Sequence, residues 1–172
     1  MTWTAPDVDR QRAPLVADER TMLEGWLDFH RQTLLTKCAG LTAEQLRTAS
    51  VEPSGLTLLG LVRHCADVER YWFRQQFARL DIPLLYSTPE QPDRDLEAVA
   101  DADPQAEFAV FREEVELGRQ AVAGRDLNDT FVSSRGNDIS LRWVYLHMIE
   151  EYARHNGHAD LIRERIDGTT GE

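Results

Sequence analysis

The fold of this chain is decided near its C-terminus, by the stretch LHMIEEYARHNGH at residues 146–158. Read as a helix, this stretch brings four polar residues close to one stripe, at spacings of four, four and three: His147, Glu151, His155 and His158. Apolar residues occupy the same side: Val144, Met148, Ala159 and Ile162. A carboxylate and imidazoles on an apolar face cost free energy unless something pairs with them. A divalent metal ion is the simplest such partner.

Apolar residues at a helical period predict three further long helices, over about residues 18–37, 58–78 and 104–122. The opening stretch belongs to a fourth, which begins at Ser140, continues to about Ile166 and is stopped by Gly168. N-cap residues precede the first three helices, namely Asp18, Thr57 and Asp103. Residues 42–45 (TAEQ) form a capping box, which predicts an additional short helix. Gly60 interrupts the second long helix, and a close helix contact would explain it.

The connections complete the predicted architecture. Residues 1–14 are polar and read as an N-terminal arm, and residues 81–103 are too long for an ordinary bundle turn. We therefore interpret residues 81–103 as a crossover or a lid. Residues 130–132 could be briefly extended, but the sequence contains no set of strands. The chain is predicted to be all-α, a four-helix bundle with a long crossover connection, in a single domain covering residues 1–172.

Composition excludes several classes of partner. The net charge of −11 argues against nucleic acid and against an acidic membrane surface. We expect no transmembrane helix, because there is no run of 18 or more apolar residues, and no signal peptide, because no basic segment precedes an apolar one at the N-terminus. Cys38 and Cys65 lack a metal or redox spacing, which predicts reduced thiols in a cytoplasmic protein.

Spacing narrows the polar stripe to two metal ligands. Glu151 and His155 lie one turn apart, roughly 6 Å along the helix axis, so both can reach a common point beside the helix. A third ligand must come from another helix, and His64 is the leading candidate because it lies midway along the second long helix. A His-Glu-His set suits zinc first and nickel as an alternative, and an open coordination position would permit catalysis.

Simpler interpretations remain open for each of these residues. A single histidine on an apolar face is more often a satisfied core residue, which applies to His64. Glu151 and His155 could form only a helical hydrogen-bonded pair. His147 and His158 are predicted to support the ligands or line the pocket rather than bind the ion.

Asp67 lies one turn after His64 on the same predicted helix. It could therefore orient the imidazole of His64. The alternative is that this carboxylate is simply solvated.

Two segments resemble a known family. Residues 57–73 (TLLGLVRHCADVERYWF) resemble the second-helix signature of the DinB/YfiT-like superfamily, and residues 140–160 resemble its last-helix signature. The resemblance spans about residues 18–168 and is strongest to an actinobacterial branch of unassigned function. It implies a four-helix bundle with a long crossover and one divalent metal held by three side chains.

The resemblance also implies a ligand set. Many members carry three histidines, whereas the mycothiol-dependent maleylpyruvate isomerase branch carries His, Glu, His. Carried onto this chain, that pattern falls on His64, Glu151 and His155. Glu151 therefore favours the thiol-dependent branch, and several relatives are S-transferases that use mycothiol or bacillithiol.

The leading functional hypothesis is a metal-dependent transferase or isomerase in which the metal activates a low-molecular-weight thiol such as mycothiol for attack on a small electrophile. One alternative is a metal-dependent hydrolase, in which the same ligands activate water. The other is a non-catalytic, metal- or ligand-binding bundle of a stress response. A homodimer is implied by the family alone.

Overall fold

The computed structural model describes residues 3–171 as a mainly helical fold. The long helices are α1 (Glu19–Cys38), α3 (Leu58–Glu69), α5 (Pro104–Val122) and α6 (Leu141–Asp167), and a π-helical segment (Arg70–Phe77) continues α3. Short helices α2 (Ala43–Leu46) and α4 (Arg94–Glu97) lie in the connections. The antiparallel strands β1 (Thr130–Val132) and β2 (Asp138–Ser140) form a small hairpin. The prediction of an all-α bundle with a long crossover is confirmed.

Side-chain caps set the helix ends close to the predicted positions. Asp18 accepts a hydrogen bond from the Thr21 backbone N–H, and the Thr57 hydroxyl accepts one from Gly60. The capping box at residues 42–45 is present as predicted. Gly168 has a φ of 76° and ends α6 in the left-handed conformation that glycine adopts without strain.

A charged network joins three of the long helices inside the bundle. The Arg31 guanidinium on α1 donates to both carboxylate oxygens of Glu69 on α3, each at 2.7 Å. The Tyr152 hydroxyl on α6 donates to Glu69 Oε1 at 2.8 Å. The Glu69 side chain is completely buried, so its negative charge depends on these donors.

The second long helix changes its geometry partway along. The sequence predicts a helix to about residue 78, and helical structure does extend to Phe77, but its last eight residues are π-helical. The Ala78 N–H donates to the Phe73 carbonyl, five residues back, at 3.0 Å. Arg70 and Arg74 both donate to the buried carboxylate of Glu114 on α5. These bonds attach the π-helical turns to α5.

The predicted N-terminal arm, where the structure describes it, runs back along α1. Residues 1 and 2 of the arm lie outside the described range. Backbone hydrogen bonds connect Ala5 with Leu41 and Gly40, at 2.9 and 2.8 Å. Farther along the arm, the Gln11 backbone N–H donates to the Gln32 side chain at 2.6 Å. The arm is therefore attached both to α1 and to the turn that follows it.

The long segment 81–103 lies against α3 and carries α4. Gly60 explains the close approach, because a Cβ at that position would lie 2.8 Å from the Leu96 carbonyl oxygen. This close contact is the one that the sequence suggested for Gly60. Residues 130–132 are extended as predicted, and their pairing with residues 138–140 was not predicted. Among residues 3–171, no helix has the length and apolarity needed to cross a membrane.

We expect Glu69→Gln to lower the free energy of unfolding by about 3–5 kcal/mol, because it removes the only fully buried counterion of Arg31 and leaves the partly exposed Asp28 as its remaining partner. Urea unfolding followed by circular dichroism measures the change. Asp129→Asn is the control, because its partner Arg125 is half exposed and the pair lies at the surface. Equal midpoints for the two variants would contradict the importance of the buried network.

We expect Gly60→Ala to destabilise the protein even though alanine favours helices, because the new methyl group would collide with α4. Gly157→Ala on α6 is the matched control, since nothing lies within 4 Å of its Cβ position. That control should gain up to about 1 kcal/mol from helix propensity. Thermal unfolding of both variants gives the comparison, and a stabilised Gly60→Ala protein would refute the contact argument.

Candidate metal centre

The structure brings together the three residues that the sequence singled out as ligands. His64 comes from α3, and Glu151 and His155 come from consecutive turns of α6. One potential ligand atom from each lies within 4.8 Å of the other two. Their side chains are 20%, 19% and 13% exposed, so the cluster is largely buried but reachable from solvent.

One carboxylate oxygen organises this cluster. The Nε2 atoms of His64 and His155 each lie 3.1 Å from Oε1 of Glu151. The two imidazole rings meet edge to face with their centroids 4.7 Å apart. Both histidines therefore direct the same type of nitrogen towards one point beside the carboxylate.

Asp95 on α4 contacts the other side of the His64 ring, although it was not predicted from the sequence. Its Oδ2 accepts a hydrogen bond from Nδ1 of His64 at 2.7 Å, which leaves Nε2 facing Glu151. The Asp95 side chain is 5% exposed, and the Leu96 backbone N–H also donates to it. The only sequence signal was the abundance of acidic residues in segment 81–103, which does not identify one of them.

Asp67 does not orient His64, and that prediction was wrong. Its carboxylate instead accepts hydrogen bonds from three consecutive backbone N–H groups at the start of the long connection: Leu85, Tyr86 and Ser87. The side chain is therefore neither solvated nor directed at the imidazole. Its role is to fasten segment 81–103 to α3.

His147 and His158 occupy different surroundings. The Nδ1 atom of His158 lies 3.4 Å from Nδ1 of His155, so His158 contacts a candidate ligand. His147 instead stacks on Trp143, with ring centroids 4.9 Å apart and planes 14° from parallel. Neither residue belongs to the group of converging ligand atoms among the described residues.

The site favours a cation electrostatically. Hydrogen bonds from His155 and His64 hold the pKa of Glu151 far below its usual range. Burial alone would raise the pKa of Asp95, but the His64 hydrogen bond more than compensates and the pKa is lowered. For His64, burial lowers the pKa, yet its bonds to Asp95 and Glu151 outweigh burial and raise the pKa to about 9. Two carboxylates thus remain ionised on either side of one imidazole.

Both cysteines are free thiols buried in the protein interior. Cys65 follows His64 in the chain but points into the core, and Cys38 is also fully buried. Burial raises the pKa of Cys38 to about 12 and raises that of Cys65 as well. Neither thiol forms a thiolate at neutral pH, so the protein's own cysteines do not supply a nucleophile.

The donor set fits a divalent transition metal. Two imidazole nitrogens and one carboxylate oxygen match zinc and nickel better than magnesium or calcium, which prefer oxygen donors alone. The carboxylate that holds the far nitrogen of His64 is the usual arrangement behind a metal-binding histidine. Three protein ligands would leave room for an exogenous ligand.

Comparison with known proteins bears on the family and on the fold. Residues 22–168 match the family model described as mycothiol-S-transferase. A crystal structure of a conserved protein from Enterococcus faecalis superposes with a TM-score of 0.60 at 16% sequence identity, covering 90% of this chain and 100% of that one. At that identity, the similarity supports the fold alone. No protein with a curated description matches the chain.

The family match covers most of the chain and includes His64, Glu151 and His155. It agrees with the resemblance of the second and last long helices to the DinB/YfiT-like superfamily. The chain therefore belongs to the mycothiol-S-transferase family, within the DinB/YfiT-like superfamily.

Proposed function

We propose that this protein is a divalent-metal-dependent S-transferase that uses a low-molecular-weight thiol such as mycothiol and conjugates it to a small electrophile. The observation that carries the proposal is the convergence of His64, Glu151 and His155 at a solvent-reachable point, in a chain that belongs to the mycothiol-S-transferase family. The family match favours transfer over isomerisation as the reaction.

The metal would be held by Nε2 of both histidines and by Oε1 of Glu151. Zinc is the first candidate and nickel the second, because both accept imidazole nitrogen together with carboxylate oxygen. When bound, such an ion supplies a Lewis acid that lowers the pKa of a thiol and so makes a thiolate available near neutral pH.

The transfer itself is a displacement at carbon. The thiol loses its proton to solvent, its sulfur forms a bond to the electrophilic carbon, and the leaving group departs with the electron pair of the bond that breaks. The chain's residues prepare this step by excluding most solvent from the ligand atoms, since each ligand side chain is at most about one-fifth exposed. Glu151 supplies the one negative charge among the three ligands.

Asp95 is proposed as a positioning residue for His64. Its hydrogen bond at 2.7 Å fixes the ring orientation and holds a proton on Nδ1, so that a metal would displace the proton of Nε2. Because Asp95 lies on α4, the placement of the crossover against α3 determines how well this residue can act.

The central experiment measures bound metal and thiol-dependent activity together. We expect protein purified without a metal-affinity tag to bind about one zinc or nickel ion per chain. It should also conjugate mycothiol to 1-chloro-2,4-dinitrobenzene. His155→Ala should lose both properties, whereas Asp129→Asn, which breaks an exposed salt bridge with Arg125, should keep both. Activity that does not require a thiol, or metal binding unchanged in His155→Ala, would refute the proposal.

A second experiment compares Asp67, which the sequence suggested as the residue that orients His64, with Asp95, which contacts His64 in the structure. Asp95→Asn should weaken zinc binding about 10- to 100-fold, because the His64 ring loses its acceptor. Asp67→Asn should weaken zinc binding clearly less than Asp95→Asn does, because Asp67 bonds backbone N–H groups of the crossover and can affect His64 only through the placement of that segment. Competition with a chromogenic chelator measures both affinities. The reverse order would assign the positioning role to Asp67.

A further inference from the structure

A group of aromatic rings lies where the first turns of α6 meet the π-helical segment that continues α3. This aromatic cluster consists of Trp72, Trp143 and His147, and its members are in mutual contact. Trp72 meets His147 edge to face, with ring centroids 4.8 Å apart. Trp72 also contacts Trp143 at 5.2 Å, and Trp143 stacks nearly parallel on His147 at 4.9 Å.

The cluster is partly open to solvent. Trp143 is 44% exposed although it is among the largest apolar side chains of the protein. Trp72 and His147 are only partly buried. Exposed flat rings that already stack on one another offer the surface on which a further planar group packs well, because offset and edge-to-face contacts are the preferred arrangements of aromatic rings.

The π-helical segment brings Trp72 to this position. Residues Arg70–Phe77 are wound more widely than an α-helix, and the wider turns shift the side chains that follow Glu69 around the helix axis. Arg70 and Arg74 hold this geometry through the buried carboxylate of Glu114. A π-helical stretch at this point is consistent with a functional constraint, since such segments are frequent at functional sites.

The cluster adjoins the candidate metal centre along α6. His147 lies one turn before Glu151, roughly 6 Å along the helix axis, and Trp143 lies one turn farther. Trp72 comes from the continuation of the helix that carries His64. The same pair of elements therefore supplies both the ligands and the rings.

We propose that the aromatic cluster binds the electrophile and that the protein selects electrophiles with a planar, unsaturated group, such as an aromatic ring. This inference rests on the proposed S-transfer function and adds a substrate class to it. The planar group stacks on Trp143 and His147, and its reactive carbon is then directed along α6 towards the thiol. For 1-chloro-2,4-dinitrobenzene, a carbon–sulfur bond forms at the ring carbon, chloride leaves with the electron pair, and the thiol proton passes to solvent.

The test begins with binding, independently of catalysis. Equilibrium dialysis measures the affinity of 1,3-dinitrobenzene, a planar probe without a leaving group, in the absence of any thiol. We expect Trp143→Leu to weaken binding about five- to tenfold, and Trp143→Phe to recover part of that loss because it restores a ring face. Trp26→Leu is the matched control, since Trp26 is also 44% exposed but lies on α1 against Phe29 and His30.

Kinetics with two electrophiles complete the test. In Trp143→Leu, the KM for 1-chloro-2,4-dinitrobenzene should rise about fivefold or more, whereas the KM for iodoacetamide, which has no ring, should stay within about twofold. Equal loss for both electrophiles, a rise in the KM for mycothiol alone, an equal effect of Trp26→Leu, or no binding of 1,3-dinitrobenzene to the wild type would overturn the inference. Metal content is measured separately, so failure of the metal proposal would be recognised without affecting the dialysis result.

Discussion

The buried contact of Glu69 with Arg31 and Tyr152 is the constraint on which the arrangement of the bundle depends. A fully buried carboxylate is stable only when its hydrogen-bonding positions are filled, and here the donors come from α1 and α6. The contact therefore fixes how far α3 can slide or rotate against its neighbours. Apolar packing alone tolerates such shifts more readily, because it is not directional.

The same constraint aligns the candidate metal centre. Tyr152 directly follows Glu151 in α6, and Glu69 lies five residues after His64 in α3. Adjacent residues on a helix point about 100° apart, so Tyr152 reaches into the core while Glu151 faces His64 and His155. A single relative position of α3 and α6 thus allows both the hydrogen bonds of the buried Glu69 carboxylate and the convergence of the three candidate ligand atoms. A polar core network and a ligand set are two results of a single helix pairing.

Local chemistry explains why so much of the fold was predictable. The helix starts depend on Asp18, Thr57 and the capping box at residues 42–45, all of which act over three residues and are visible in the sequence. His64, Glu151 and His155 were predictable for a similar reason, because polar residues on apolar helix faces require partners.

Asp95 was not predictable, since its contact with His64 depends on how the crossover packs and its segment contains many other acidic residues. Asp67 was misjudged because spacing along one helix cannot show that a distant loop supplies the partners. The π-helical geometry of residues 70–77 could not be predicted from the sequence either, because Glu114, which binds Arg70 and Arg74, lies on another helix.

The burial of Cys38 and Cys65 has a consequence for the proposed S-transfer reaction, which would bring reactive electrophiles to the protein. Alkylating reagents attack thiolates far faster than thiols, and both side chains are closed to solvent with raised pKa values. In that proposed reaction, an electrophile at the candidate metal centre would meet no accessible thiol of Cys38 or Cys65. The packed interior that stabilises the bundle would then also shield both thiols from alkylation.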